Sequence, residues 1–157
     1  MKKNKVSYLI LFLSVFTVSS FIVKDKINND LSEISCKARL NIKSLDNDIT
    51  AHVMIHLALN ESDGWISIKG DIIDGEKITN IRRKIFFNHT RSINLFNVKS
   101  NSIIINRLDD SSNEVLEKIL PSVYIYENLK ADFSIYPQGD NGYFVSSTDQ
   151  HGVYCAP

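Results

Sequence analysis

Residues 50–60 read TAHVMIHLALN. Ala51, Val53, Ile55, Leu57 and Leu59 form one apolar row, and Thr50, His52, Met54, His56 and Ala58 form the opposite one. Alternation with period two is the signature of a strand with one buried face, because successive side chains point to opposite sides of the pleat. The same pattern precedes it. In CKARLNI (36–42), Cys36, Ala38, Leu40 and Ile42 oppose Lys37, Arg39 and Asn41, and the polar KSLDND (43–48) separates the two runs.

Downstream, NESDG (60–64) reads as a turn by composition and WISIKGDII (65–73) as the third strand. Asp74-Gly75 marks a tight turn. KITNIRRKIFFN (77–88), SINLFNV (92–98) and SNSIIINRL (100–108) are expected as strands four, five and six. The period then changes. Ser111 and Glu114 have the spacing of a capping box, Val115, Leu116, Ile119 and Leu120 share one helical face, and Pro121 ends the segment. SVYIYENLKADFSIYP (122–137), YFVSSTDQ (143–150) and VYCA (153–156) return to strand, with a hairpin loop at residues 138–142. Seven to nine short strands and one helix predict a mainly β fold, an antiparallel sheet curled into a barrel or sandwich.

The N-terminus differs in kind. Residues 6–23, VSYLILFLSVFTVSSFIV, carry no charge and follow Lys2, Lys3 and Lys5. Eighteen residues make a helix of ~27 Å, close to the ~30 Å of a bilayer core. The preceding lysines place the N-terminus in the cytoplasm and the rest across the membrane. Bulky residues stand where a cleavage site wants small ones, so a retained anchor is favoured over a cut near Ser20. The expected organisation is a cytoplasmic tail (1–5), a transmembrane helix (6–23), a juxtamembrane linker (24–35) and a periplasmic β-rich domain (36–157) in a bacterial inner membrane. In the linker, Ile27, Leu31 and Ile34 have helical spacing, although a plain polar linker fits equally.

Eighteen Lys and Arg balance eighteen Asp and Glu, which leaves no electrostatic footprint for nucleic acid. Arg82-Arg83-Lys84 is read as a solvated strand face. The two cysteines, Cys36 and Cys155, lie 119 residues apart, too far for a CxxC redox motif. An even count in an exported chain predicts a disulfide that ties the first strand to the last.

Catalytic motifs are lacking. There is no GxSxG elbow and no glycine-rich phosphate loop, and Asp109-Asp110 reads as a loop before the helix, so no enzyme, metal or cofactor is expected. His52 and His56 are four residues apart on a strand, about 13 Å, which is too far for one zinc ion. They are candidates for proton sensing, weighed against ordinary solvent-facing histidines; His89 and His151 lack a Cys or carboxylate at ligand spacing. Tyr124, Tyr126, Phe133, Tyr136, Tyr143, Phe144 and Tyr154 concentrate in the last third and could line a core, an apolar pocket or a partner surface.

The Lys-rich start with one apolar run, the strand opening Cys36-Lys37-Ala38 and the ending Gly142-Tyr143-Phe144 … Cys155-Ala156-Pro157 resemble the FidL-like family of small bacterial inner-membrane proteins. That family is similar in organisation to the ToxS, VtrC and PsaF accessory proteins. The resemblance implies a lipocalin-like barrel outside the cytoplasm. It also implies a partner, a membrane-anchored ToxR-like transcription activator with a cytoplasmic winged-helix domain, and in some relatives a bile-salt-like amphipath as ligand. The resemblance supplies no ligand-site residues. A stand-alone module for an apolar ligand and an envelope assembly factor are the competing expectations.

Overall fold

The structure is a computed structural model that describes residues 31, 33–44, 46–139, 142–147 and 150–157. The tail 1–5, the apolar run 6–23 and most of the linker lie outside the described residues, as does the side chain of His151. Among the described residues no helix is long and apolar enough to cross a membrane.

Eight antiparallel strands follow one another around a single sheet: β1 (Ile34–Lys43), β2 (Ile49–Leu59), β3 (Asp63–Asp74), β4 (Lys77–Ser92), β5 (Leu95–Ile105), β6 (Lys130–Gln138), β7 (Gly142–Ser147) and β8 (Gln150–Cys155). Each strand pairs with the next, and the last returns to the first through one bridge, Lys37 with Ala156. The result is a nearly closed up-and-down barrel. Period-two alternation decides which residues fill it. Cys36 and Ala38 from β1, Val53 and Leu57 from β2, Ile66 and Ile68 from β3, and Ile81 and Ile85 from β4 all point inward and are buried. The buried row begins earlier than the cysteine. Ile34 already belongs to β1 and Leu31 packs into the core, so the last position of the helical spacing in the linker is strand.

The expected fifth and sixth strands are one. β5 runs unbroken through Leu95–Ile105, but its register against β4 slips between Phe86 and Phe87, where Ser102 and Ser100 are the successive partners. Asn101 is the extra residue of a bulge, and a bulge reverses the phase of alternation. The single strand therefore reads as two in sequence. The true turn lies just before it, at Ile93-Asn94, with Ile93 at φ 57°.

The helix is shorter than its spacing suggests. α1 covers Asn113–Leu116, and its N-cap is Ser112, which makes no side-chain capping bond. Ser111 instead donates its hydroxyl to Thr79 Oγ1 at 3.0 Å. The chain expected as strand from Ser122 forms a 3₁₀ turn (Ser122–Tyr124), and β6 starts only at Lys130. Tertiary packing overrides the strand pattern here. Leu116, Ile119, Leu120, Val123, Tyr124 and Ile125 are all buried and plug the barrel end below β5, while Asn128 at φ 63° turns the chain back, its N–H donating to the Ser100 carbonyl and the Ser100 N–H donating to the Leu129 carbonyl.

Arg82-Arg83-Lys84 is not uniformly solvated. Arg82 and Lys84 point outward, but Arg83 points into the barrel, its side chain 2 % exposed against 1 % for its partner Asp109. Asp109 accepts from Arg83 Nε at 3.0 Å and from the backbone N–H of Arg82 at 2.8 Å. The guanidinium also donates to Asn113 Oδ1 and the Ser111 carbonyl.

Candidate functional site: an open seam between the first and last strands

Closure of the barrel is confined to one stretch. Lys37 N donates to Ala156 O at 2.6 Å, Ala156 N donates to Lys37 O at 2.8 Å, and the Cys36–Cys155 disulfide lies beside them with Cα atoms 5.4 Å apart. The predicted pairing of the two cysteines is thus present. Beyond it β1 and β8 part. In an antiparallel strand the N–H and C=O of one residue face the same neighbour, and residues alternate sides. Since Lys37 faces β8, so do Arg39 and Asn41, and no strand meets their backbone groups among the described residues. On the other lip Gly152 and Tyr154 have the matching parity with Ala156.

Between these lips lies a groove of about 650 Å³. Leu40, Ile42 and Val153 line it with Ile119, Leu120 and Pro121 of the plug, and Lys43, Glu117 and Lys118 add charge at the same groove. Unpaired strand backbone beside an apolar lining is the arrangement that receives an added strand: main-chain bonds give affinity and the lining takes alternate side chains.

An aromatic row flanks this seam on the outside. Tyr136 pairs with Phe144, Phe144 pairs with Tyr154, and all three are exposed, Tyr154 by 54 %. Glycines make room for them. A Cβ at Gly152 would collide with the Phe144 ring, and one at Gly142 with the Tyr154 ring. The clustered aromatics of the last third therefore divide. Tyr124, Phe133 and Tyr143 are core, with Tyr124 stacked on Phe133 at 6.2 Å; Tyr126 is exposed and donates its hydroxyl to Glu117; and Tyr136, Phe144 and Tyr154 form a surface stripe of the kind enriched at protein interfaces. Neighbouring strands supply one residue each, so sequence reasoning sees scattered aromatics and misses the stripe.

The barrel interior holds a cavity of about 60 Å³, lined by residues such as Leu40, Ile55, Phe87, Phe96 and Ile135. Pockets that enclose drug-sized molecules are ~300–1,000 Å³. The described interior is packed.

His52 and His56 both project from the outer face of β2. His52 Nδ1 lies 3.0 Å from Asp71 Oδ2 at the surface. His56 meets Trp65 edge-on, ring centroids 4.7 Å apart, and burial together with Lys37, Lys84 and Lys69 holds its imidazole below the ordinary histidine range. His89 is not solvent-facing. It is 7 % exposed between Phe87 and Phe96, its Nε2–H donates to the Asn60 carbonyl at 3.0 Å, and its Nδ1 has no partner among the described residues. Its place in the inward row of β4, beside Ile85 and Phe87, is the sequence signal that could have found it. No three His, Cys, Asp or Glu side chains gather as a metal site would need among the described residues.

Fold and seam together define a class: a small disulfide-closed up-and-down β-barrel, zipped at one end of its first and last strands and open at the other. The chain belongs to the YqeJ C-terminal domain family, whose sequence profile matches residues 33–155, from the residue before β1 through the second half-cystine. No curated protein and no solved structure matches the chain.

Proposed function

We propose that this protein is a membrane-anchored periplasmic accessory and co-sensor, whose lipocalin-like barrel pairs with and stabilises the periplasmic domain of a membrane-bound winged-helix transcription activator. The observation that carries this reading is the β1/β8 seam, where free backbone on Arg39 and Asn41 stands over an apolar groove beside exposed Tyr136, Phe144 and Tyr154. A strand from the partner would complete the barrel. A second copy of this chain is a poor occupant, because antiparallel pairing of two open β1 edges about Asn41 would set Arg39 of each copy against Lys43 of the other.

An amphipathic ligand such as a bile salt fits this reading only with the barrel opened, since the closed interior offers about 60 Å³. The seam is where partner binding could open it.

The test is purification of the tagged full chain from membranes, with Asn41→Pro as control. Proline removes an N–H that the fold does not use, and edge strands tolerate it there. Recovery of a single-span winged-helix protein with the wild type, and its loss with an Asn41→Pro variant of unchanged unfolding midpoint, is the expected outcome. Equal recovery by both defeats the seam as the contact, and recovery of secreted subunits in its place favours an assembly factor.

A further inference from the structure

The outer surface of β1–β4 carries a charge pattern that the seam does not explain. Two adjacent cross-strand rows cross it, Arg39–Met54–Lys69–Arg82 and Lys37–His56–Ser67–Lys84. Together they hold five cations and no carboxylate. The acids beside these rows are engaged: Asp71 lies on His52, Asp109 pairs with Arg83, and Asp110 accepts from the Asn80 N–H. Strands lie ~4.8 Å apart and alternate residues ~6.7 Å, so the five charges occupy a patch of roughly 15 by 7 Å. In a chain of zero net charge this is segregation. His56 sits among these cations, its proton affinity lowered by burial first and by Lys37, Lys84 and Lys69 second.

The patch also has an apolar component. Trp65, in the row next to Lys84, carries the Lys84 ammonium 3.9 Å above its ring. Met54 within the patch and Ile104 beside Lys84 are both exposed, 44 % and 59 %. A shallow groove of about 420 Å³ runs along Trp65, Lys69, Arg82, Lys84 and Ile104.

We propose that this face, Lys37, Arg39, Lys69, Arg82 and Lys84 around Trp65, seats on the anionic phospholipid head groups of the membrane to which the chain is tethered. Cations interspersed with an indole and flexible aliphatic side chains suit a head-group layer, where charge is neutralised at the phosphates and amphipathic rings sit at the boundary. An acidic protein segment shares the charge, but the tether favours lipid. β1 opens at Ile34, and residues 24–33 can span at most ~36 Å from the apolar run, so the patch, three residues into β1, stays within reach of the bilayer. The proposal rests on the anchored topology for that proximity. Its consequence is orientation: β1–β4 lie toward the membrane and the aromatic stripe on β6–β8 stays available to a partner.

Trp65 is the single tryptophan, which makes it the probe. The full chain is reconstituted into vesicles of phosphatidylcholine alone and of phosphatidylcholine with phosphatidylglycerol, each containing brominated lipid. Quenching of Trp65 is expected only with phosphatidylglycerol, reversed near 1 M salt where the screening length falls to ~3 Å. Lys69→Glu with Arg82→Glu should abolish it, and Lys37→Gln with Arg39→Gln, which alters only exposed side chains of β1, should weaken it by roughly fivefold per cation. Equal quenching in both vesicles, unchanged quenching in both variants, or the same Trp65 response to polyglutamate without lipid overturns the proposal. Flotation with phosphatidylcholine vesicles reports the anchor separately. Flotation without charge-dependent quenching defeats this face alone, whereas charge-dependent quenching without such flotation supports the face and defeats the anchor.

Discussion

Two strands of this barrel lose a neighbour, and the fold treats them differently. β4 extends beyond β5, so among the described residues no strand lies beside its residues before Arg83 on that side. The loop after β5 covers them. Asn106 N donates to Arg82 O, Asp110 N donates to Asn80 O, and the carboxylates of Asp109 and Asp110 accept from the N–H groups of Arg82 and Asn80. Side-chain oxygens take the place of strand carbonyls, and Arg83 fastens the loop from inside. Among the described residues, β1 beyond Lys37 receives no such cover. An edge that a protein seals with its own loop is finished; an edge left open over an apolar groove is available to another chain.

The largest effect should come from the zipped end of the seam. Replacing Cys36 and Cys155 with Ala removes a crosslink spanning 119 residues, worth about 4–5 kcal/mol on the loop-entropy account. Among the described residues one bridge, between Lys37 and Ala156, then joins β1 to β8, and urea unfolding should shift by most of that amount. A shift under about 1 kcal/mol would mean that β1 and β8 hold together without the crosslink. Next comes the latch of the sealed edge. Asp109→Ala strands the buried Arg83 guanidinium and frees the Arg82 N–H, a loss of about 3–4 kcal/mol because an uncompensated buried charge costs more than the pair contributed. Asp109→Ala with Arg83→Met should recover part of it.

Proline compares the two edges directly. Asn80→Pro removes a donor that Asp110 accepts and loosens the loop's hold on the β4 edge, about 1 kcal/mol of unfolding free energy. Asn41→Pro removes a donor facing the open groove and should cost no more than about 0.5 kcal/mol. Equal costs would show that the β1 edge is satisfied within the chain.

The sealed edge was nearly invisible in sequence and the open one was half legible. The strands of β1–β4 follow from alternation because each has one wet and one buried face, and the terminal cysteines announce that first and last strands meet. Alternation fails where a bulge shifts phase, at Asn101, and where a β-branched residue takes a turn conformation, at Ile93. It also cannot see contacts between distant segments. Nothing near Asp109 points to Arg83, twenty-six residues earlier, and Arg83 carries the charge of a surface residue at an inward position. The seam depends on how far β1 and β8 remain paired, which is a matter of curvature and not of residue type. His89 was lost for the opposite reason: a polar residue was read by its chemistry although its parity was inward.

The smallest expected effect concerns the proton sensing assigned to His52 and His56. His56 sits among Lys37, Lys84 and Lys69, and its folded-state pKa is lowered by burial first and by those cations second. Above the ordinary histidine value of ~6.5 both folded and unfolded chains hold it neutral, and it contributes nothing to the pH dependence. Below that value the unfolded chain takes up a proton that the folded chain resists, so the folded state is destabilised as pH falls. His56 is largely solvated, which limits the loss to a few tenths of a kcal/mol. His56→Gln should flatten the decline in urea midpoint between neutral and mildly acidic pH by that amount. A steeper decline in the variant would mean that the folded protein takes up the His56 proton more readily than the unfolded chain, against the lowering that burial and the neighbouring lysines impose.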